Sequence, residues 1–139
     1  MRIVVDASVA LKWVLNEPRT EAALALREKE LIAPALWLAE AANALWRHVR
    51  LGELDRKQAL ARLSELEKAP IASIPIEPYV AKALELATDA DHPVYDFIYL
   101  ALALARQACV VTDDRRFWTA AALKPWRPCA LARELTLRQ

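Results

Sequence analysis

Four acidic residues stand inside or at the edge of four strongly apolar segments, and this placement limits what the chain can fold into. Asp6 ends the run MRIVVD, Glu40 sits within APALWLAEAANALW, Asp96 within VYDFIYLALALA, and Asp114 follows CVVT in CVVTDDRRF. Segments this apolar belong in a core, yet a carboxylate buried without partners is costly. A fold that satisfies both demands packs the apolar runs together and lets the acids meet at one edge of that core.

The order of patterns says which core. RIVV at residues 2–5 reads as a short buried strand ending at Asp6. A helix is expected from Ser8 to Leu15, with Ser8 as its N-cap. Asn16, Glu17 and Pro18 break it, and Pro18 suits the first turn of a second helix running to about Glu28. LIAP is a strand, and Ala35 to Leu51 is a long helix with Leu38, Ala41, Ala42 and Leu45 on one face. Gly52 is the natural C′ residue for that helix. Leu54 to Lys68 is another helix, with Leu60, Leu63 and Leu66 as its stripe. ASIPI is a strand, Pro78 opens a helix to about Thr88, and DHP starts an apolar helix from Val94 to Gln107. ACVV is a strand, Asp113 to Ala121 a short helix, and PCAL a last strand. Alternating strands and helices predict a mostly parallel sheet covered on both faces.

At 139 residues the chain fits one domain with one sizeable core, spanning residues 1–139. No stretch is long and uncharged enough to span a bilayer. IVV meets Asp6 too soon to form the apolar centre of a signal peptide. A cytoplasmic protein without membrane contact is therefore expected. Net charge is +1, so nucleic-acid affinity would have to come from local clusters: Arg47, His48 and Arg50; Arg115 and Arg116; Lys124 and Arg127. Cys109 and Cys129 lack metal-ligand spacing and read as small buried hydrophobes. Gly52 is the only glycine, which excludes a P-loop or a glycine-rich dinucleotide turn.

In open parallel sheets, sites form beyond the carboxyl ends of strands at a topological switch point. Asp6 and Asp114 both follow strands, and if those strands are neighbours their carboxylates face one crevice. Glu40 and Asn43 share a helix face, and Asp96 lies in the first turn of its helix, where a carboxylate suits the dipole. Taken singly, Asp6 reads equally as a turn residue, Asp96 as a helix-end charge, and Asp113 or Asp114 as a cap. Together they suggest a hard divalent cation held by oxygen ligands, which points to phosphodiester hydrolysis.

VVDASVALKW around Asp6, PALWLAEAANAL around Glu40, YDFIYLALA around Asp96 and VVTDDRRF around Asp114 together resemble the PIN-domain ribonucleases, specifically the VapC-like toxins of toxin–antitoxin pairs. The resemblance runs over essentially the whole chain, in order and spacing. It implies a three-layer α/β/α sandwich with a central parallel sheet of four or five strands. It implies catalytic and metal-binding roles for Asp6, Glu40, Asp96 and Asp114, with Mg²⁺ or Mn²⁺ as cofactor. Ser8, Asn43 and Thr112 match the family's supporting polar residues, and Asp113 takes the variable middle place of the T-x-D pattern. RNA as substrate, a small antitoxin as partner, and a homodimer follow as expectations.

In that reading Asp6, Asp96 and Asp114 hold one ion, and Glu40 holds a second or acts as a base through water. Ser8, Asn43 and Thr112 orient carboxylates, water or phosphate. Arg115 and Arg116 are candidates for the RNA backbone, whereas His48 and His92 are given structural or surface places. Trp13 and Trp46 are candidates for partner contacts, with core packing as the default. Two other readings stay open: a ribonuclease of this fold that is not a toxin, and a silent module whose acids hold a structural cation. A phosphatase of the aspartyl type is disfavoured because Ser8 stands where its second acid is needed, and a receiver because only Asp6 flanks the first strand.

Overall fold

The computed structural model describes residues 2–15, 20–122 and 133–134. The expected break at Asn16–Pro18, the PCAL strand, Cys129, and the Lys124 and Arg127 cluster lie outside the described residues. Five strands form one sheet: β1 (Arg2–Val5), β2 (Glu30–Pro34), β3 (Ile71–Ile74), β4 (Cys109–Thr112) and the two-residue β5 (Arg133–Glu134), in the order β3-β2-β1-β4-β5. Every pairing is parallel. β1 is central, with Ile3 opposite Leu31 on one side and Cys109 on the other. Its valines and isoleucine suit a strand buried on both faces.

The helices are α1 (Ala7–Ala10), α2 (Thr20–Ala25), α3 (Trp37–Arg50), α4 (Arg56–Glu67), α5 (Val80–Ala90), α6 (Val94–Arg106) and α7 (Arg115–Ala122). From β1 to β3 the chain steps one way across the sheet, and from β3 to β5 it steps back. Right-handed crossovers therefore put α1 to α4 on one face and α5 to α7 on the other. The contacts agree: α1 meets α3, α5 meets α6, and Phe97 of α6 lies edge-on to Phe117 of α7 at 5.9 Å. α6 is the core's main pillar, buried without a break from Phe97 to Ala103 and packed across β1, β2 and β4. Among the described residues, no helix is long and apolar enough to cross a membrane.

Several boundaries differ from the sequence reading. Ser8 is not the first N-cap. Asp6 takes that position, and Ser8 lies inside α1, which lasts one turn before tightening into a 3-10 turn over Leu11–Trp13. Pro78 opens a 3-10 turn (Glu77–Tyr79) ahead of α5. β4 reaches one residue further than ACVV and takes in Thr112. α4 starts from a capping box in which Asp55 and Gln58 exchange side-chain and backbone bonds of 2.7 and 2.9 Å. Its apolar stripe is only partly covered: Leu66 is buried, but Leu60 is exposed and shares a groove with Trp46 of α3.

Gly52 follows α3 at φ +79, the left-handed geometry that a C′ glycine adopts without strain. α6 ends differently. Gln107 takes φ +54 there, and a side chain with a Cβ pays for that backbone. Gln107→Gly should raise unfolding free energy by about 0.5–1 kcal/mol, since its exposed side chain contributes little packing. Urea denaturation of the two proteins checks this, and equal midpoints would count against strain at the cap.

Candidate functional site

The reversal of strand order falls between β1 and β4, and the chain leaves both strands beside one crevice. Asp6 leaves β1 there. Its N–H bonds Val111 O at 3.1 Å, extending the β1–β4 ladder by one residue and fixing where the carboxylate hangs. Only 5% of Asp6 is exposed. Its Oδ2 accepts from the Ser8 hydroxyl at 2.6 Å and from the Thr112 hydroxyl at 2.7 Å. Those hydroxyls accept in turn from backbone: Asp113 N to Ser8 Oγ, and Asp114 N to Thr112 Oγ1, both at 2.9 Å. Two small hydroxyl residues thus join the turn after β1 to the turn after β4.

The other three acids each hang from a helix start. Glu40 lies in the first turn of α3, and its Oε1 accepts the Tyr99 hydroxyl at 2.5 Å. Asp96 lies in the first turn of α6, with Oδ2 at 2.7 Å from His92 Nε2. Asp114 precedes α7, and its Oδ1 accepts from Arg116 N at 2.9 Å and Phe117 N at 3.3 Å. Each carboxylate has therefore committed one oxygen. Among the described residues, Asp6 Oδ1, Glu40 Oε2, Asp96 Oδ1 and Asp114 Oδ2 take no hydrogen bond.

The charges feel one another. Burial pushes Asp6 up to about 6 against the lowering effect of its two hydroxyl partners, and the charges of Asp96 and Asp114 push further. Glu40 rises to about 7, again chiefly by burial, with Tyr99 opposing and Asp6, Asp96 and Asp114 adding. Asp96 is raised by burial and Asp114, opposed by its bond to His92 and by the charges of His92 and Arg116. Tyr99 is pushed well above its usual value by burial and by Asp6 and Glu40, so it stays a phenol and a donor.

Other expected residues fall in different places. Asp113, in the middle place of the T-x-D pattern, pairs away from the other acids. It is 3.0 Å from the ammonium of Lys12, which is 3% exposed. Asn43 is exposed one turn along α3 from Glu40 and bonds none of the acids. Arg115 and Arg116 are exposed at the start of α7, and Arg116 acts on Asp96 by charge. His48 pairs with Glu53 at 2.7 Å, away from the acids.

Three contributors escaped the sequence reading. His92, given a structural or surface place in a loop, bonds Asp96 and is packed against Phe97 and Phe117 at 5.4 and 6.4 Å. A signal was present, since His92 and Asp96 are four residues apart across a helix start. Tyr99 gave none, because an aromatic in an apolar helix looks like core. Lys12 stood out as a lone cation in SVALKWVL, and a buried lysine needs a partner.

Among the described residues, no three Asp, Glu, His or Cys side chains are gathered tightly enough to form a ready-made metal cage. The donor chemistry nonetheless fits a hard divalent cation. All four groups are carboxylates, each offers an oxygen that takes no hydrogen bond, and Mg²⁺ keeps several waters, needing only one or two direct carboxylates.

Residues 3–123 match the family model described as PIN domain. Ribonuclease VapC3 of Pyrobaculum aerophilum is 33% identical over 121 residues, which are 84% of this chain and 92% of that protein. Among solved structures, PAE2754 of Pyrobaculum aerophilum superposes with a TM-score of 0.69 at 27% identity, over 86% of this chain and 79% of its own. VapBC2 of Rickettsia felis, solved with a DNA fragment from its promoter, gives 0.66 at 15% identity over 96% and 98%, a likeness of fold.

The raised carboxyl groups predict how stability varies with pH. Free carboxyls at 3.8 and 4.5 lose protons that folded Asp6 and Glu40 keep to about 6 and about 7. Between those limits the folded chain binds more protons than the unfolded one, so stability falls as pH rises through the window. Urea unfolding from pH 4.5 to 8 should show that fall. Asp6→Asn should reduce it, leaving the share of Glu40, and gain roughly 1–3 kcal/mol at pH 8. Added Mg²⁺ should restore stability to the parent at pH 8 by binding only the folded form. A parent whose stability rises steadily to pH 8 and ignores Mg²⁺ would dismiss the convergence of charge.

Proposed function

The chain belongs to the PIN-domain family, and from that premise we propose that it is a VapC-type endoribonuclease, the toxin of a toxin–antitoxin pair, built as a single PIN domain. One observation supports the reading: the charges of Asp96 and Asp114 are felt at both Asp6 and Glu40 around the β1–β4 switch point, and each of the four carboxylates has an oxygen that takes no hydrogen bond among the described residues. Identity with a ribonuclease over most of both chains supports the same conclusion.

Asp6, Asp96 and Asp114 would hold a divalent cation, Mg²⁺ or Mn²⁺, with Glu40 closing the cluster from α3. When bound, the cation polarises the scissile phosphate and acidifies a water. The chain's own residues do the rest. Ser8 and Thr112 hold Asp6 in one rotamer, so its other oxygen faces the site at no further ordering cost. His92 and Tyr99 do the same for Asp96 and Glu40. Glu40, near 7, suits taking a proton from the attacking water near neutral pH. Water oxygen bonds to phosphorus, the bond to the departing ribose oxygen breaks, and that oxygen is protonated from solvent. Arg116, exposed beside Asp96, is the better placed of the two arginines to meet the RNA backbone.

A small antitoxin and a second copy of the chain are the proposed protein partners. Of the two tryptophans considered for them, Trp13 is committed inward: its indole N–H donates to Ala23 O at 2.7 Å, and Arg27 lies over its ring. Trp46 is 53% exposed and lines the groove between α3 and α4, so it carries the proposal for partner binding.

Purified protein free of antitoxin should cleave RNA with Mg²⁺ or Mn²⁺, lose that activity in EDTA, and lose at least about 100-fold in Asp6→Asn. Folded protein that leaves a varied RNA panel intact under all metals would overturn the enzyme reading. Trp46→Ala should weaken self-association or antitoxin retention in light scattering while leaving the melting temperature unchanged. Unaltered assembly would remove Trp46 from the interface.

A further inference from the structure

A second concavity adjoins the acids, and the chemistry described so far leaves it unused. It has a volume of about 460 Å³, within the range of small-ligand sites, and Glu40 forms part of its wall. Leu36, Ala39, Ile76 and Ile98 give it an apolar floor, Asn43 and Arg47 line it from α3, and Tyr95 lines it from α6. Glu40, Asn43 and Arg47 recur along one face of α3, and Tyr95 immediately precedes Asp96.

Tyr95 is the anomaly. It sits on the most deeply buried helix of the protein, whose residues Phe97 to Ala103 are all in the core, yet it is 66% exposed. An aromatic ring left in water beside a charged crevice contributes nothing to that core. Asn43 is likewise exposed, and its amide has no hydrogen-bond partner among the described residues. The cleft therefore presents an aromatic face, an amide that can both donate and accept, and a guanidinium, next to carboxylates proposed to act on phosphate.

We propose that this cleft is a nucleotide subsite, in which Tyr95 stacks the base of a single-stranded RNA nucleotide flanking the scissile phosphate. The inference rests on the ribonuclease reading above and says where the substrate lies. Unpaired bases are held by stacking on aromatic side chains and by hydrogen bonds to their edges, which are the roles of Tyr95 and Asn43 here. Arg47 supplies the positive charge for the next phosphate, which matters on a chain whose net charge is only +1. Because Glu40 belongs to both cleft and acid cluster, a base seated in the cleft brings its own phosphate to the acids.

The test uses the full chain with Asp6→Asn as a slow-cleaving background, in Mg²⁺, and a fluorescent single-stranded hexaribonucleotide that wild-type protein cleaves. Anisotropy should show binding weakened about 5–150-fold by Tyr95→Ala and retained by Tyr95→Phe and Tyr95→Trp. Removing one base from the oligonucleotide at a time should find a position whose loss costs the parent as much, and costs Tyr95→Ala almost nothing more. Arg47→Ala should lower the salt slope by about one phosphate contact. Equal RNA binding by parent and Tyr95→Ala, or base losses that add to the mutation at every position, overturns the subsite while wild-type cleavage keeps the ribonuclease reading intact. Wild-type protein that binds and cleaves only structured RNA also overturns the subsite, and one that neither binds nor cleaves any RNA of a varied panel sinks both. Tyr95→Ala that releases the antitoxin but keeps RNA hands the cleft to protein docking.

Discussion

Four like charges gathered at the end of a parallel sheet are the constraint to which the rest of this structure answers. Burial, with a smaller push from the neighbouring acids, raises Asp6 and Glu40 toward neutrality, so the fold holds them there at a cost. That cost is met by packing elsewhere. α6 runs buried across three strands, and β1 is enclosed by β2 and β4 on both edges. A site under repulsion needs a stiff frame, and this one is framed by the most buried parts of the molecule.

The charges are also held one by one. Asp6 has two hydroxyls, Glu40 a phenol, Asp96 an imidazole and Asp114 two backbone N–H groups. Asp113, adjacent to the cluster in sequence, is neutralised by buried Lys12 and so kept from adding a fifth charge. Lys12, 3% exposed and held against Asp113, is therefore part of how the fold manages charge beside the acids.

The parts of the fold legible in the sequence were those written in periodicity: β1 from RIVV, α3 with Gly52 behind it, and α6 from its apolar run. The acids were legible because a carboxylate in an apolar run is anomalous on sight. What stayed hidden depends on distance in space. Nothing in VYDFIYLALALA says that Tyr99, in the heart of the core, reaches Glu40 on another helix. Nothing around Ser8 says that it looks back to Asp6 and not forward to its own helix. The capping preference of serine was outweighed by a buried acceptor two residues away. Leu60 shows the converse, since periodicity assigns it to a covered stripe and tertiary packing leaves it in solvent.

The bond from Thr112 to Asp6 spans 106 residues. β1 is made before β4, and its acid has no second hydroxyl, no neighbouring strand on one edge and no Asp114 until β4 has left the ribosome. Contacts of such long range close late, after most of the chain has been made. A nascent or prematurely terminated chain lacking β4 cannot assemble the cluster at all. The topology thereby withholds the charged centre from any product that stops short of β4.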